Sequence, residues 1–521
     1  MIKFKFVNHS YGTIESDDIY AFKDLKEQFS FYVPNYRFMP RYKAGLWDGK
    51  IHLINSVTRQ FPVGIIQRMI DFCSNSNYEI EVDPRLLPKK DPELKQKILK
   101  FISGMKYYSK KQEITPRDDQ IKAIVRAIEQ ERCVNVCPTS FGKSLCIFVE
   151  TLWYTRQSKK VLLIVPAINL VYQFVNDITD YCTDESGRIA SYIPDFQCIY
   201  TGQEKFIRED TELVITTWQS VYKLSSEWFN QFGAIILDEA HSAKANCLTS
   251  IFDKSTEVAI RTGWTGTLKK TTVPGIQVEA LLGPIETITE TATLMSEGVV
   301  ADLTIQVVRF NYEEELVKEL QRYFEEKRRV TGKHTYNDEI AFLENYMPRN
   351  QTIISMAGLY KKTGLLLYKH IKHGKDLYEI AHDKFPDRNI YRIDGTEVIR
   401  NDTKYKTYEE LKPLIEKEKD AILICSFGVF STGISIKNIN YIFFTVPTKS
   451  YVRTIQSIGR GLRVSDIKTK LHLVDIVDDL CGYTKKGKRH RENYAFKHFI
   501  ERFDMYSDQK FKYQLNNIQI R

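Results

Sequence analysis

From about residue 111 onward, short runs that are apolar at every position alternate with longer segments that are apolar along one side only. A strand with one wet face alternates apolar and polar residues, whereas a strand covered on both faces does not. The runs "VLLIV", "ELVITT" and "GAIILD" therefore predict inner strands of a parallel sheet, and "KSLCIFVETLWYT" and "NLVYQFVNDITDYC" predict the helices that cover them. A second series with the same rhythm but no close sequence repeat starts near residue 300, with "GLLLYKH", "NIYRIDG", "AILICSFGVF" and "YIFFTVP". The expected fold is α/β, with two parallel-sheet lobes at 111–295 and 296–480. Between the two series, "EEELVKELQRYFEEKRRVTGKH" predicts a solvated surface helix.

The first 110 residues have a different texture and predict a small N-terminal α+β domain. Here "KFKFVN" alternates like a strand, Phe22 to Phe31 has helical spacing, and "LWDGKIHLI" predicts a hairpin around its Asp-Gly turn. "DPRLLPKKDPELKQK" leads out of that unit, and residues 481–521 read as a basic, helical tail.

Composition narrows the picture only slightly. A chain of 521 residues, 43% hydrophobic and 27% charged, has ample apolar material for several cores. The net charge of +9 is compatible with nucleic acid without establishing it. Nine cysteines form no C-x-x-C pair, so neither a zinc site nor a disulfide framework is expected. No apolar run reaches the roughly 20 residues of a membrane span, and no signal-peptide core begins the chain, so a cytoplasmic protein without a membrane partner is expected.

Three stretches carry candidate chemistry. In "NVCPTSFGKSLC" an apolar run ends at Cys137 and a helix-prone segment begins at Lys143, which puts Lys143 and Ser144 at a helix N-terminus. Free N–H groups and the helix dipole attract phosphate there. Pro138, Thr139, Ser140, Phe141 and Gly142 form the body of the loop, Lys143 is placed to reach the β/γ-phosphates of ATP, and Ser144 to ligate Mg²⁺. Cys137 stands where G-x-x-x-x-G-K-[ST] has its first glycine, and an ordinary turn is the alternative. Second, "AIILDEAH" delivers Asp238 and Glu239 to the C-terminal end of a strand, where open α/β sheets bind ligands. Asp238 is expected to hold Mg²⁺ and Glu239 to orient or deprotonate the attacking water. Third, "QSIGRGLR" puts Arg460 and Arg463 on one helix face, either as an exposed basic helix or as two guanidinium groups for the γ-phosphate.

These three signals, in this order, resemble the superfamily 2 helicases and translocases over about residues 111–480. That resemblance implies two RecA-like lobes with ATP between them and a nucleic-acid strand running across both. "ITPRDDQ" is similar to the segment in which Gln120 would read adenine, and "GWTGT" to the one that couples hydrolysis to movement. Through "IVPAINLVYQ", "VITTWQS", "RIDG" and "FGVFSTGISIKNI", the resemblance offers Thr217, Gln219, Asp394 and Thr432 as strand contacts, with Gly433 and Gln456 completing the nucleotide side of the second lobe. The form "CPTSFGKS" matches the family's A-P-T-x-x-G-K-[ST] loop, which does not need the first glycine.

"NYRFMPRYKAGLWDGKIHLI" ahead of the motor is similar to the N-terminal domain of phage UvsW-type helicases, and "VDIVDD" extends that resemblance into the tail; the charged segment near 312–335 looks longer than the family's. The resemblance implies ATP-dependent, three-prime to five-prime unwinding, branch migration, fork regression and strand annealing on forks, Holliday junctions and R-loops. It also implies a setting in phage recombination, repair and replication inside the infected host. A monomer is expected, with single-strand-binding or recombination proteins as candidate partners and RNA–DNA hybrids as a further substrate. The motifs alone support a nucleic-acid-stimulated ATPase, so a duplex translocase and an ATP-gated binding module stay open. Arg37, Arg41, Lys43 and Lys50 interleave with Tyr36, Phe38, Tyr42 and Trp47, which suits a junction-reading surface or a hairpin with core aromatics. Lys485, Lys486, Lys488, Arg489 and Arg491 form either a further DNA contact or a solvated loop.

Overall fold

The computed structural model describes residues 1–520 except 90, 201, 245, 333, 433–435, 437, 449–450, 463–469 and 482–491; the side chains at 243, 244, 246, 409, 431, 432, 451–453 and 456 are also outside the description. The chain divides into two compact units, Met1–Thr289 and Glu290–Arg521.

The first unit contains a seven-stranded, wholly parallel sheet. Its spatial order is Phe196–Ile199, Leu213–Thr217, Val161–Val165, Ala234–Asp238, Ile260–Thr265, Arg132–Val136 and Ile285–Thr287. Every residue of Val161–Val165 and Ala234–Asp238 is buried, as strands covered on both faces require. Helices Lys143–Thr155 and Ile168–Cys182 fall on the segments predicted to be helical.

The N-terminal residues build a four-stranded sheet in which Ile2–Phe6 pairs antiparallel with Tyr11–Ser16 and parallel with Ile80–Val82. One prediction fails here. Lys50–His52 pairs with Ser30–Tyr32, so Asp48-Gly49 is not the tip of a hairpin between adjacent strands. The two residues instead turn the chain into Lys50–His52: Gly49 has φ +83, and a Cβ there would lie 2.3 Å from the Tyr36 ring. The helix predicted from Phe22 also starts earlier and spans Ile19–Gln28, because Asp18 accepts bonds from the backbone N–H groups of Tyr20 and Ala21 and caps it.

This small domain is fastened to the seven-stranded lobe. Ser10 Oγ donates to the Phe252 carbonyl at 2.7 Å, Tyr11 Oη to Asp253 at 2.7 Å, and buried Arg261 donates to Ser10 Oγ at 2.9 Å. Arg68 Nε meets Glu279 at 2.7 Å. Gly64 allows the closest approach, since a Cβ there would stand 2.1 Å from the Glu279 carbonyl oxygen.

The second unit contains a nine-stranded sheet. Asn389–Ile393, Ala421–Ser426, Gly364–Tyr368, Tyr441–Phe444, Lys470–Asp479, Asp302–Tyr312 and Lys512–Ile520 run parallel, and two short antiparallel strands extend it beyond Asn389–Ile393. The stretch read as a tail thus supplies the helix Tyr494–Asp508 and the edge strand Lys512–Ile520. The charged helix Glu314–Thr331 is not simply solvated: Val317, Leu320 and Phe324, spaced three and four apart, bury one stripe of it.

A candidate nucleotide site at the sheet edge

Gly142 is the N-cap of helix Lys143–Thr155 and has φ +91. A side chain there would be strained, and its Cβ would lie 2.4 Å from Gln120 Nε2. This is the physical requirement behind the retained glycine. At the other end of the loop Cys137 is fully buried, and burial pushes its thiol up to about 12, so it serves as a small apolar residue. Lys143 Nζ donates to the Cys137 carbonyl at 3.5 Å, and a Cβ on Gly266 would lie 3.6 Å from both Lys143 Nζ and Thr139 Oγ1. Pro138, Ser140 and Phe141 complete the loop; Ser140 is left-handed at φ +70, and Phe141 is buried.

Gln120 braces this loop. Its Nε2 donates to the Phe141 carbonyl at 2.8 Å, and its Oε1 accepts from Arg117 N at 2.9 Å. Arg117 Nη2 donates to the same Phe141 carbonyl at 2.9 Å.

The strand ending at Asp238 is separated from the one ending at Val136 by Ile260–Thr265 alone, so the two acids and the loop share the C-terminal edge of one sheet. Asp238 is buried; desolvation, then the neighbouring Glu239 charge, pushes its carboxyl up to about 7, while Lys143 opposes the shift. Glu239 has φ +51, a left-handed backbone that costs a non-glycine residue about 1–3 kcal/mol. The strain aims its carboxylate at two partners: His241 Nδ1 at 3.1 Å and Thr265 Oγ1 at 3.5 Å, themselves 2.9 Å apart. Thr265 belongs to "GWTGT", so this stretch touches the acid pair directly.

An oxygen donor set of one carboxylate and one hydroxyl suits Mg²⁺, which takes few protein ligands and keeps its remaining positions for water and phosphate. Ser144 and Asp238 fit that description in donor chemistry, the Ser144 hydroxyl being hydrogen-bonded to Tyr181, and a carboxylate buried as deeply as Asp238 is favoured in its charged form by a cation.

A family profile described as "DNA helicase UvsW, N-terminal" matches residues 1–83, and one described as "Type III restriction enzyme, res subunit" matches residues 113–270. The ATP-dependent DNA helicase uvsW of Enterobacteria phage T4 is 30% identical over 531 residues, covering 100% of both chains. The chain belongs to the UvsW helicase family. The crystal structure of T4 UvsW matches with a TM-score of 0.50 at 28% identity, over 100% of both chains. The type ISP restriction-modification enzyme LlaBIII bound to DNA matches with a TM-score of 0.54 at 14% identity, over 79% of this chain and 32% of that one, a likeness of fold. This UvsW-family chain is an ATP-hydrolysing nucleic-acid helicase of superfamily 2, built on RecA-like parallel-sheet lobes with a small N-terminal domain. Among its described residues no helix is long and apolar enough to cross a membrane.

The remaining candidates fall in different surroundings. In the UvsW-type N-terminal domain Arg37 and Arg41 are exposed and Phe38 is 75% exposed, while Tyr36 stacks on Tyr32 with centroids 4.5 Å apart. Trp47 is half-buried and donates to the Lys50 carbonyl at 2.8 Å. None of Tyr36, Phe38, Tyr42 or Trp47 belongs to that domain's core cluster. Gln219 is exposed, but Thr217 is buried with its hydroxyl on Ser220 at 2.8 Å.

In the second unit Asp394 is buried, and its Oδ1 accepts from Thr396 N, Thr396 Oγ1 and Glu397 N at 2.6–2.8 Å. Its carboxylate shapes a turn instead of facing solvent. Arg460 lies in the last turn of Tyr451–Gly461. Gly433, Arg463 and the cluster from Lys485 to Arg491 lie outside the described residues, as do the side chains of Thr432 and Gln456.

The bracing by Gln120 and Arg117, the His241–Thr265–Glu239 contact and the fastening of the N-terminal domain leave little trace in the local sequence pattern. Only His241, third residue after Asp238 in "DEAH", carried a local signal.

Proposed function

We propose that this helicase uses ATP and Mg²⁺ to unwind and branch-migrate DNA at forks, Holliday junctions and R-loops during phage recombination, repair and replication. The observation that carries the reading is the convergence of the Lys143 helix terminus, Asp238 and the strained Glu239 on one sheet edge, in a unit whose N-terminal domain presents exposed cations and aromatics. In this reading Lys143 and the free N–H groups of its helix bind the β/γ-phosphates. Ser144 and Asp238 hold Mg²⁺, which neutralises phosphate charge. Glu239, held by His241 and Thr265, orients the attacking water and takes its proton. Arg460 and Arg463 are assigned to the γ-phosphate, Gln120 to adenine, and Gly433 and Gln456 to the second lobe's share of the nucleotide, all by resemblance. Thr217, Gln219, Asp394 and Thr432 are assigned by the same resemblance to the strand path, Gln219 having the most accessible side chain of the three described.

The UvsW-type N-terminal domain supports a branched substrate. Because it is pinned to the ATP-binding lobe through Ser10, Tyr11, Gly64 and Arg68, DNA gripped by Arg37, Phe38, Arg41 and Trp47 moves with that lobe. Base–aromatic stacking is worth about 1–3 kcal/mol by alanine substitution, so Phe38→Ala is expected to weaken fork binding about tenfold. Single-strand affinity should change much less, and fluorescence anisotropy on both substrates checks the difference.

Steady-state ATPase across single strands, duplexes, forks, four-way junctions and RNA–DNA hybrids tests the reading as a whole. Stimulation by branched molecules above their component strands is expected. Activity that displaces a triplex strand but never separates a fork would instead make the protein a duplex translocase.

A further inference from the structure

Glu150 is a lone acid in the apolar run "CIFVETLWY" of the helix that begins at Lys143, and its side chain is fully buried. Seven residues, or about two turns, separate it from Lys143, so both lie on nearly the same helix face. Its Oε1 accepts from Thr262 Oγ1 at 2.6 Å, and its Oε2 accepts from Trp264 Nε1 at 2.8 Å. Thr262 and Trp264 are two apart on Ile260–Thr265 and share one face of the sheet. The next residue, Thr265, presents its hydroxyl on the other face to His241 and Glu239. One carboxyl therefore spans the helix that carries Lys143 and Ser144 and the strand that carries Thr265.

Among the described residues no cation is paired with it. Burial alone pushes the Glu150 carboxyl up to about 7, against the pull of its two donors, and a buried acid without a counter-charge is a poor choice for stability.

We propose that Glu150 is a positioning residue for ATP hydrolysis, a two-pronged tie that fixes the phosphate-binding helix against the strand holding the Glu239–His241–Thr265 group. The inference rests on the nucleotide site proposed above. A displacement of about 1 Å between reacting groups costs on the order of 100-fold in rate, so a tie of this kind acts on turnover more than on nucleotide affinity.

Glutamine can keep both bonds, because its Oε1 accepts from Trp264 and the Thr262 hydroxyl can rotate to accept from its Nε2. Leucine keeps neither. The test measures DNA-stimulated ATPase, binding of a fluorescent ATP analogue and thermal melting for Glu150→Gln, Glu150→Leu and Lys143→Ala across pH 5.5 to 8.5. Glu150→Leu is expected to bind the analogue within about threefold of wild type while kcat per folded molecule falls about 10- to 100-fold. Glu150→Gln should restore kcat to within about threefold.

The folded chain holds the Glu150 proton to about pH 7 and an unfolded one only to about 4.5, so folding loses stability as pH rises between those values. Glu150→Gln should remove that component. The neighbouring Cys133, Cys146 and Tyr154 are all pushed upward and stay protonated throughout.

Wild-type kcat in Glu150→Leu, or a loss explained wholly by unfolding at the assay temperature, overturns the proposal. Full ATPase in Lys143→Ala would overturn the nucleotide site itself, whereas an inactive Lys143→Ala beside a fully active Glu150→Leu would remove the tie alone.

Discussion

Replacing Lys143 with alanine is expected to lower ATP turnover by on the order of 10³-fold while leaving DNA binding within a fewfold of wild type. The ammonium lies at the N-terminus of a helix whose backbone already favours anions, and Asp238 and Glu239 stand at the same sheet edge. Removing one preorganised group that stabilises developing charge costs about 10²–10³ in rate, and removing a full charge from a phosphoryl-transfer site costs more. Lys143→Arg should not rescue, because a planar guanidinium would replace a compact point charge beside the Cys137 carbonyl. Phosphate release and strand displacement measured on the same preparation check the result, and anisotropy confirms that the folded surface still binds DNA. Strand displacement at the wild-type rate would relocate the nucleotide site.

The second large effect concerns stability. Arg349 and Asp478 are both fully buried in the second unit, with Nε and Nη2 of the arginine 2.7 and 2.9 Å from the two carboxylate oxygens. Tyr312 Oη donates to the same carboxylate at 2.6 Å. Asp478→Ala would leave a buried guanidinium without its counter-charge, and breaking such a pair from one side costs about 3–5 kcal/mol. Arg349→Met combined with Asp478→Leu should recover much of that loss, since removing both charges also removes their desolvation cost. Urea titration of the two variants measures the difference. Equal destabilisation by both would mean that volume, not charge, sets the effect.

The parallel-sheet lobes were legible because inner strands have no polar positions: "VLLIV" and "AIILD" are apolar where both faces are covered, and both form buried strands. The loop at 137–144 was legible for a similar reason, since a left-handed residue at the helix start demands glycine at 142. Other features had no local signature. The Asp-Gly turn at 48–49 looked like a hairpin, but the partner of Lys50–His52 is Ser30–Tyr32, a pairing that depends on contacts distant in sequence. Lys512–Ile520 carries several polar residues because it is an edge strand, so its pattern did not advertise membership of the sheet.

Local pattern by itself determined the inner strands and covering helices of both lobes, such as Val161–Val165, Ala234–Asp238 and Lys143–Thr155, and the glycine at the start of that helix, because periodicity and backbone conformation act within a few residues. Tertiary structure decided that Glu239 would be strained onto Thr265, that Glu150 would reach Thr262 and Trp264, and that Gly64 would seat the N-terminal domain against Glu279. Each of these joins residues 26 to more than 200 positions apart along the chain, and their energy exists only once the segments are packed together.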